Sequence, residues 1–178
     1  MINSGIPIRL ATVEDAAGMA SVLARAWKFA YADFLDPDFI RARSEEAEIT
    51  QRFRENWNLA TLKIVAVTEA DEVVGFATER RPVSLPGYDA EIGGLYVDPG
   101  FSRGGVGRLL VEHMVTHFVG VGHVSLVIQA LSQNQIGCRF YEKLGGREGS
   151  HGEWNGIPSK WYVWQTMNSI LNGHNSGS

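Results

Sequence analysis

The residues best suited to chemistry lie between positions 98 and 145. Ser102-Arg103-Gly104-Gly105-Val106-Gly107-Arg108 falls between a β-rich run and a helical stretch. A strand, a glycine-rich turn and a helix start together aim several backbone N–H groups at one spot, with the helix dipole behind them. Such a spot binds phosphate, and glycines let the backbone approach an anion without Cβ clashes. The hydrolase loop GxxxxGK[ST] is excluded, because no Lys-Ser or Lys-Thr follows these glycines. The dinucleotide fingerprint GxGxxG would begin at Gly105-Val106-Gly107, but Leu110 stands at its third glycine. That fingerprint also opens a fold at its first strand, whereas here three or four strands come first.

Other reactive side chains are weaker candidates. His113 and His117 are spaced i, i+4 on one helix face, as metal ligands often are. No third ligand accompanies them and Glu112 does not complete HExxH, so no metal is expected. Cys138 would need a paired histidine to act as an acyl-enzyme nucleophile, and packing is its expected role. Trp27, Tyr31, Phe34 and Trp57 read mostly as core, with some of them walling an acceptor pocket.

The elements that must position these residues alternate along the chain. Ile8-Arg9-Leu10 reads as a short strand, and Thr12 with Asp15 as a capping box. Met19, Val22, Leu23, Ala26, Trp27, Ala30 and Tyr31 form a helical stripe, which Asp36-Pro37 interrupts. A second helix starts near Ser44, with Ile49, Phe53 and Trp57 spaced by four. Residues 62–68 and 73–78 form a hairpin, 81–87 a loop, and 90–97 a strand containing Gly93-Gly94. A helix over 105–119 stops at Gly120-Val121-Gly122. Residues 124–131 read as a fully buried strand. A helix over 133–144 stops at Gly145-Gly146. Two strands flank the turn Asn155-Gly156, the second over 161–167. Residues 168–178, rich in Asn, Ser and Gly, read as a flexible tail. With no repeat and no linker, residues 1–167 are expected to form one α+β domain with a mixed sheet.

Composition narrows the function classes. The 178 residues are 44% hydrophobic and 20% charged, typical of one ordinary domain. A net charge of −4 argues against a nucleic-acid binder. No apolar run reaches membrane-spanning length, and the opening Met1-Ile2-Asn3-Ser4-Gly5 lacks signal-peptide character. Cys138 is the single cysteine, so no internal disulfide forms and a cytoplasmic location is expected. Charge is uneven: residues 1–98 carry 10 bases and 16 acids, whereas 99–147 carry five bases and two acids. A basic block inside an acidic chain points to a local anion site.

Gly94-Leu95-Tyr96-Val97-Asp98-Pro99, the glycine turn, a strand, then Asn134 with Phe140-Tyr141-Glu142-Lys143-Leu144-Gly145 resembles the GNAT superfamily of N-acetyltransferases. The matching core runs over about residues 90–146. The opening at residues 8–15 is also similar to that family, and the Trp27…Tyr31 helix to a bacterial subgroup with no single substrate. The family's pyrophosphate loop reads Q/R-x-x-G-x-G/A. Gly105 and Gly107 match it, whereas Ser102 stands where Gln or Arg is usual and Gly137 where Ala is common.

The resemblance implies a mixed, mostly antiparallel central sheet with splayed middle strands and about four flanking helices. It implies acetyl-CoA as co-substrate, without a metal. Arg103, Gly104, Gly105, Val106, Gly107 and Arg108 would hold the pyrophosphate. The backbone of Leu95 and Val97 would pair with the pantetheine arm, as an added strand would, and a β-bulge at Gly93-Gly94 would suit that role. Asn134 and Lys143 would complete the cofactor site. Tyr141, a phenol still protonated at neutral pH, would protonate the departing thiolate. Glu91 would take the amine proton, directly or through water, and a strand N–H would hold the oxyanion. The implied reaction is acetyl transfer to a primary amine on a small molecule or peptide, with no nucleic-acid or membrane partner. A homodimer is common among such proteins. The alternative is a non-catalytic domain that binds and senses acyl-CoA.

Overall fold

A computed structural model describes residues 5–173. They divide into two compact units. One comprises the chain up to Thr78 together with Gly94–Val111, and the other Glu79–Gly93 together with the chain from Glu112. The strand β4 (Ala90–Val97) contributes its first half to the second unit and its second half to the first.

In the first unit, β1 (Ile8–Leu10) leads through a 3-10 turn into α1 (Ala16–Tyr31). The expected capping box at Thr12 and Asp15 is present. Asp15 also binds Arg9 at 2.8 Å, which ties the strand to the helix start. The helix buries Met19, Val22, Leu23, Trp27 and Tyr31, the stripe that its 3.6-residue period sets on one face. Asp36-Pro37 does more than interrupt. Asp36 accepts hydrogen bonds from the N–H groups of Asp38 and Phe39, and Pro37 takes the first position of a short helix, α2 (Pro37–Arg43). The next helix, α3 (Glu46–Glu55), buries Ile49 but ends before Trp57. Then β2 (Lys63–Val67) and β3 (Val73–Glu79) form the expected antiparallel hairpin, with β1 on its outer edge.

In the second unit, β4 pairs in parallel with β5 (Leu126–Leu131) over Ala90–Ile92. β5 pairs antiparallel with β7 (Ile157–Trp164), and β7 with β6 (Arg147–Trp154). Asn155 and Gly156 both hold positive φ, the geometry of a two-residue hairpin turn. β7 therefore starts four residues before its expected position and ends at Trp164, not Met167. Pro158 does not prevent this, because it stands next to the strand's first residue, where a missing donor is tolerated. The helix α4 (Val106–Gly120) follows the glycine turn, and α5 (Gln135–Lys143) follows β5. The expected tail begins as a short helix, α6 (Asn168–Asn172), with Ile170 buried; beyond Gly173 it lies outside the described residues, as does Met1–Ser4.

Among the described residues, seven strands follow the order β1-β2-β3-β4-β5-β7-β6, mixed and mostly antiparallel. Among the described residues six helices accompany them, two more than expected: the short α2 and α6 carry too few residues to show a period. Among the described residues, no helix is long and apolar enough to cross a membrane.

Candidate functional site

The glycine turn belongs to the first unit, where it is fixed from both ends. Before it, Asp98 accepts a hydrogen bond from the Gly100 N–H at 2.7 Å and shapes the 3-10 turn Pro99–Phe101. The Ser102 hydroxyl donates to the Pro99 carbonyl at 2.8 Å. Ser102 thus closes its own turn, a local use that a longer Gln or Arg would not make. Arg103 and Gly105 hold positive φ, +64° and +85°. Gly105 needs no side chain there, and its carbonyl accepts from the Leu109 N–H as α4 begins. Alternating turn conformations of this kind point successive N–H groups into one concavity, a nest for anions. The first-turn amides of α4, Val106 and Gly107 among them, have no helical carbonyl to bond. Behind the turn, Val106 and Leu110 are buried, and Gly75 on β3 lets them approach: a Cβ there would lie 3.2 Å from each. In the sequence Gly75 carries no signal of this role beyond being a glycine inside an apolar run.

The second half of β4 is half-exposed from Gly94 to Val97. Tyr96 stacks on Phe76 at 5.3 Å between ring centroids, while Leu95 and Val97 alternate to the other face. Burial pushes the Tyr96 phenol up, opposed by a hydrogen bond with Trp27. β3 and β4 are hydrogen-bonded neighbours. The Arg80 N–H donates to the Glu91 carbonyl, and the Asp98 N–H to that of Val74. Between those bonds β3 advances six residues and β4 seven.

Four expected site residues lie in the second unit. Glu91 is 1% exposed. One of its oxygens, Oε2, accepts from the Ser84 N–H at 2.6 Å, and the other faces Arg80 Nε at 3.9 Å. Ser84 is held in turn by Trp161, whose Nε1 donates to its hydroxyl at 3.3 Å. These three partners were not anticipated, because nothing local in the sequence joins residues 80, 84 and 161 to 91. Asn134 caps α5: its Oδ1 accepts from the Gly137 N–H at 3.0 Å. A Cβ on Gly137 would come within 2.7 Å of the Asn134 amide nitrogen, so an alanine here would require that side chain to shift. Tyr141 is buried two turns along the same helix. Its ring lies 5.4 Å from Phe140 and 5.5 Å from Tyr162. The Tyr162 hydroxyl donates to Glu142 at 3.0 Å, and burial, helped by its Cys138 and Glu142 neighbours, pushes that phenol up. Lys143 is exposed on the last turn of α5.

The first unit therefore gathers Leu95, Val97 and the whole turn from Arg103 to Arg108. The second holds Glu91, Asn134, Tyr141 and Lys143. Cys138 is buried against the Leu131 carbonyl, as a packing residue would be. His113 and His117 are exposed on α4. Among the described residues, no group of three or more His, Cys, Asp or Glu could hold a metal ion.

Comparison with known proteins converges on one family. The family model described as the acetyltransferase (GNAT) family matches residues 27–146. The uncharacterized N-acetyltransferase YuaI of Bacillus subtilis is 26% identical over 133 residues, 72% of this chain and 73% of that one. The ribosomal protein bS18-alanine N-acetyltransferase of Salmonella typhimurium is 34% identical over 82 residues, 46% of this chain. That match spans about half, 53%, of the Salmonella enzyme. The solved structure of a PaiA N-acetyltransferase from Thermoplasma acidophilum, in complex with coenzyme A, superposes with a TM-score of 0.71 at 21% identity. It covers 90% of this chain and 99% of its own.

Proposed function

We propose that this chain, which belongs to the acetyltransferase (GNAT) family, moves an acetyl group from acetyl-CoA to a primary amine by direct attack in a ternary complex. The observation that carries the reading is the glycine turn. Its two positive-φ residues and the open first turn of α4 make an anion cradle inside the matched stretch. The turn amides from Arg103 to Arg108, with the dipole of α4, bind the pyrophosphate. Leu95 and Val97 offer backbone groups to the pantetheine arm, and a strand N–H receives the oxyanion. Asn134 and Lys143 bind the remainder of the cofactor. Tyr141 donates a proton to the leaving sulfur, and Glu91 receives the amine proton. The burial of Glu91 and its bond to Ser84 support a route through water.

The acceptor is an amine on a small molecule or a peptide. One relative's name places its acceptor on a ribosomal-protein alanine, and another's on a peptidyl lysine. The acidic first 98 residues favour a cationic acceptor. The lone thiol supports a reducing, cytoplasmic compartment, and a homodimer fits the habit of the family. The buried Glu91 also favours a second reading, a domain that binds acyl-CoA and senses it without catalysis.

Two measurements test these readings. At a hundredfold excess over Kd, acetyl-CoA stabilises by about 2.7 kcal/mol, a Tm rise of about 5–10 °C for a chain this size. NAD gives no rise, and Gly105→Val abolishes the CoA response. A Gly105→Val variant with an undiminished response overturns the turn assignment. A panel of primary amines with acetyl-CoA releases CoA thiol if the chain is an enzyme; binding with no release across the panel selects the sensing reading.

A further inference from the structure

Asp98 sits at a joint. Before it runs the half of β4 assigned to the pantetheine arm, and after it the turn assigned to the pyrophosphate. All four of its polar groups are engaged within the first unit. Its N–H donates to the Val74 carbonyl at 2.9 Å, and its own carbonyl accepts from the Phe101 N–H at 2.8 Å. Oδ1 accepts from the Gly100 N–H at 2.7 Å, and Oδ2 meets Arg25 Nε at 2.6 Å. Arg25 comes from α1, 73 residues earlier, and its Nη1 donates to the Ser21 hydroxyl one helical turn back at 2.6 Å. The Asp98 side chain is 15% exposed and that of Arg25 is 44% exposed.

We infer that Arg25 is a positioning residue for acetyl-CoA: through Asp98 it holds the strand end and the glycine turn in their binding geometry. The physical ground is preorganisation. A turn that must present several N–H groups to one anion binds more tightly when its conformation is set before the ligand arrives. The Gly100 bond fixes the turn locally, but it moves with the turn. Among the described residues, it is the Arg25 contact that anchors the Asp98 carboxylate to a helix whose opposite face is packed in the core. The short charge-assisted bond fixes direction as well as distance, and Ser21 removes the rotational freedom that the guanidinium otherwise keeps. A half-exposed pair contributes little to overall folding. Its effect therefore falls on the turn's geometry and not on whether the chain folds.

This inference rests on the assignment of the glycine turn to CoA, and the experiment separates the two. CoA affinity is measured by titration calorimetry on the full chain for the parent, Arg25→Gln, Asp98→Asn, the double variant, Arg25→Lys and Gly105→Val. Asp98→Asn keeps an oxygen for the Gly100 N–H and puts an amide NH2, a donor without charge, where the Arg25 Nε–H meets its acceptor. Arg25→Gln and Asp98→Asn each weaken CoA binding about threefold to tenfold, and the double variant no further, the mark of one shared interaction. Arg25→Lys recovers part of the loss. The ligand-free Tm of each variant stays within a few degrees of the parent, so that lost affinity is not lost folding. Unchanged affinity in Arg25→Gln overturns the inference. So do additive losses, which place Arg25 on the ligand and not on Asp98. Should Arg25→Gln fold poorly, Ser21→Ala, which removes only the outer contact, gives a smaller loss of the same kind, and no loss overturns the inference. Full CoA binding by Gly105→Val instead overturns the turn assignment itself.

Discussion

At the scale of single residues, Tyr141 and Glu91, the acid and base proposed for the transfer, differ in how they are held. Tyr141 has its ring packed between Phe140 and Tyr162. Tyr141→Phe keeps that packing and removes the hydroxyl alone. With an amine found by the thiol-release panel, kcat falls, by up to about 10²–10⁴-fold if no water substitutes as the acid. CoA affinity stays near the parent value, because the missing interaction matters in the transition state. The defect shrinks for acetyl thioesters of more acidic thiols, which need less protonation. Parent-like turnover, measured where chemistry limits the rate, removes Tyr141 from the mechanism. Glu91→Gln lowers the rate at neutral pH and recovers partly at high pH, where free amine is abundant. An unchanged pH–rate profile assigns Glu91 to the Ser84 contact alone.

At the scale of elements, α5 shows how a helix delivers a side chain. Asn134 fixes its start, and a Schellman motif fixes its end. There the Gly146 N–H donates to the Tyr141 carbonyl at 3.0 Å and the Gly145 N–H to that of Glu142 at 2.9 Å. Tyr141 is thus held by its backbone as well as its ring. Gly145 has φ +83°, so Gly145→Ala costs about 1–2 kcal/mol, a Tm loss of a few degrees. Gly146→Ala is worse for a different reason. Its Cβ would lie 2.5 Å from the Trp164 ring and 2.9 Å from the Tyr141 carbonyl. Thermal unfolding ranks the two, and an equal or reversed order would show that Trp164 yields freely. The glycine pair was legible as a stop signal from its position after an apolar helical run. The identity of the ring that requires the second glycine was not.

At the scale of the whole chain, stability has a limb on each side of neutral pH. A hydrogen bond with Arg9 holds the Asp15 carboxyl below its usual range. Backbone N–H groups of Ser125 and Val124 do the same for Asp89, and Lys160 with His151 for Glu148. These groups ionise more readily folded than unfolded. Their stabilisation is present above the ordinary carboxylate range, about pH 4, and is lost as pH falls through the lowered folded values. Tyr96 and Tyr162 behave in the opposite sense. Burial raises both phenols, so their contribution is intact below about pH 10 and fades as pH climbs past that value. Tm measured from pH 2 to 11 therefore falls at both ends. Asp15→Asn flattens part of the acid limb, and an acid limb identical to the parent's would discount the Arg9 pair.

Local signals decided much of this protein. Thr12 and Asp15, the apolar stripe of α1, the Asn155-Gly156 turn and the Gly120 and Gly145 stops all act within a few residues, where caps, periods and turn chemistry are set by the sequence itself. The glycine turn by itself reads only as an anion site; the family came from the resemblance of the whole stretch from Gly94 to Gly145, with Asn134 and Phe140-Tyr141-Glu142-Lys143 in it. Two helices too short to show a period, α2 and α6, escaped that reading, and so did the true start of β7 behind Pro158. What only the tertiary structure decided is partnership across distance. Ser84 and Arg80 face Glu91, Trp161 holds Ser84, Gly75 admits α4, and Arg25 reaches Asp98. Each joins residues brought together by strand register or helix packing. No periodicity records such a pairing, because a side chain's partner across an element is set by where the backbone folds and not by its neighbours in the chain.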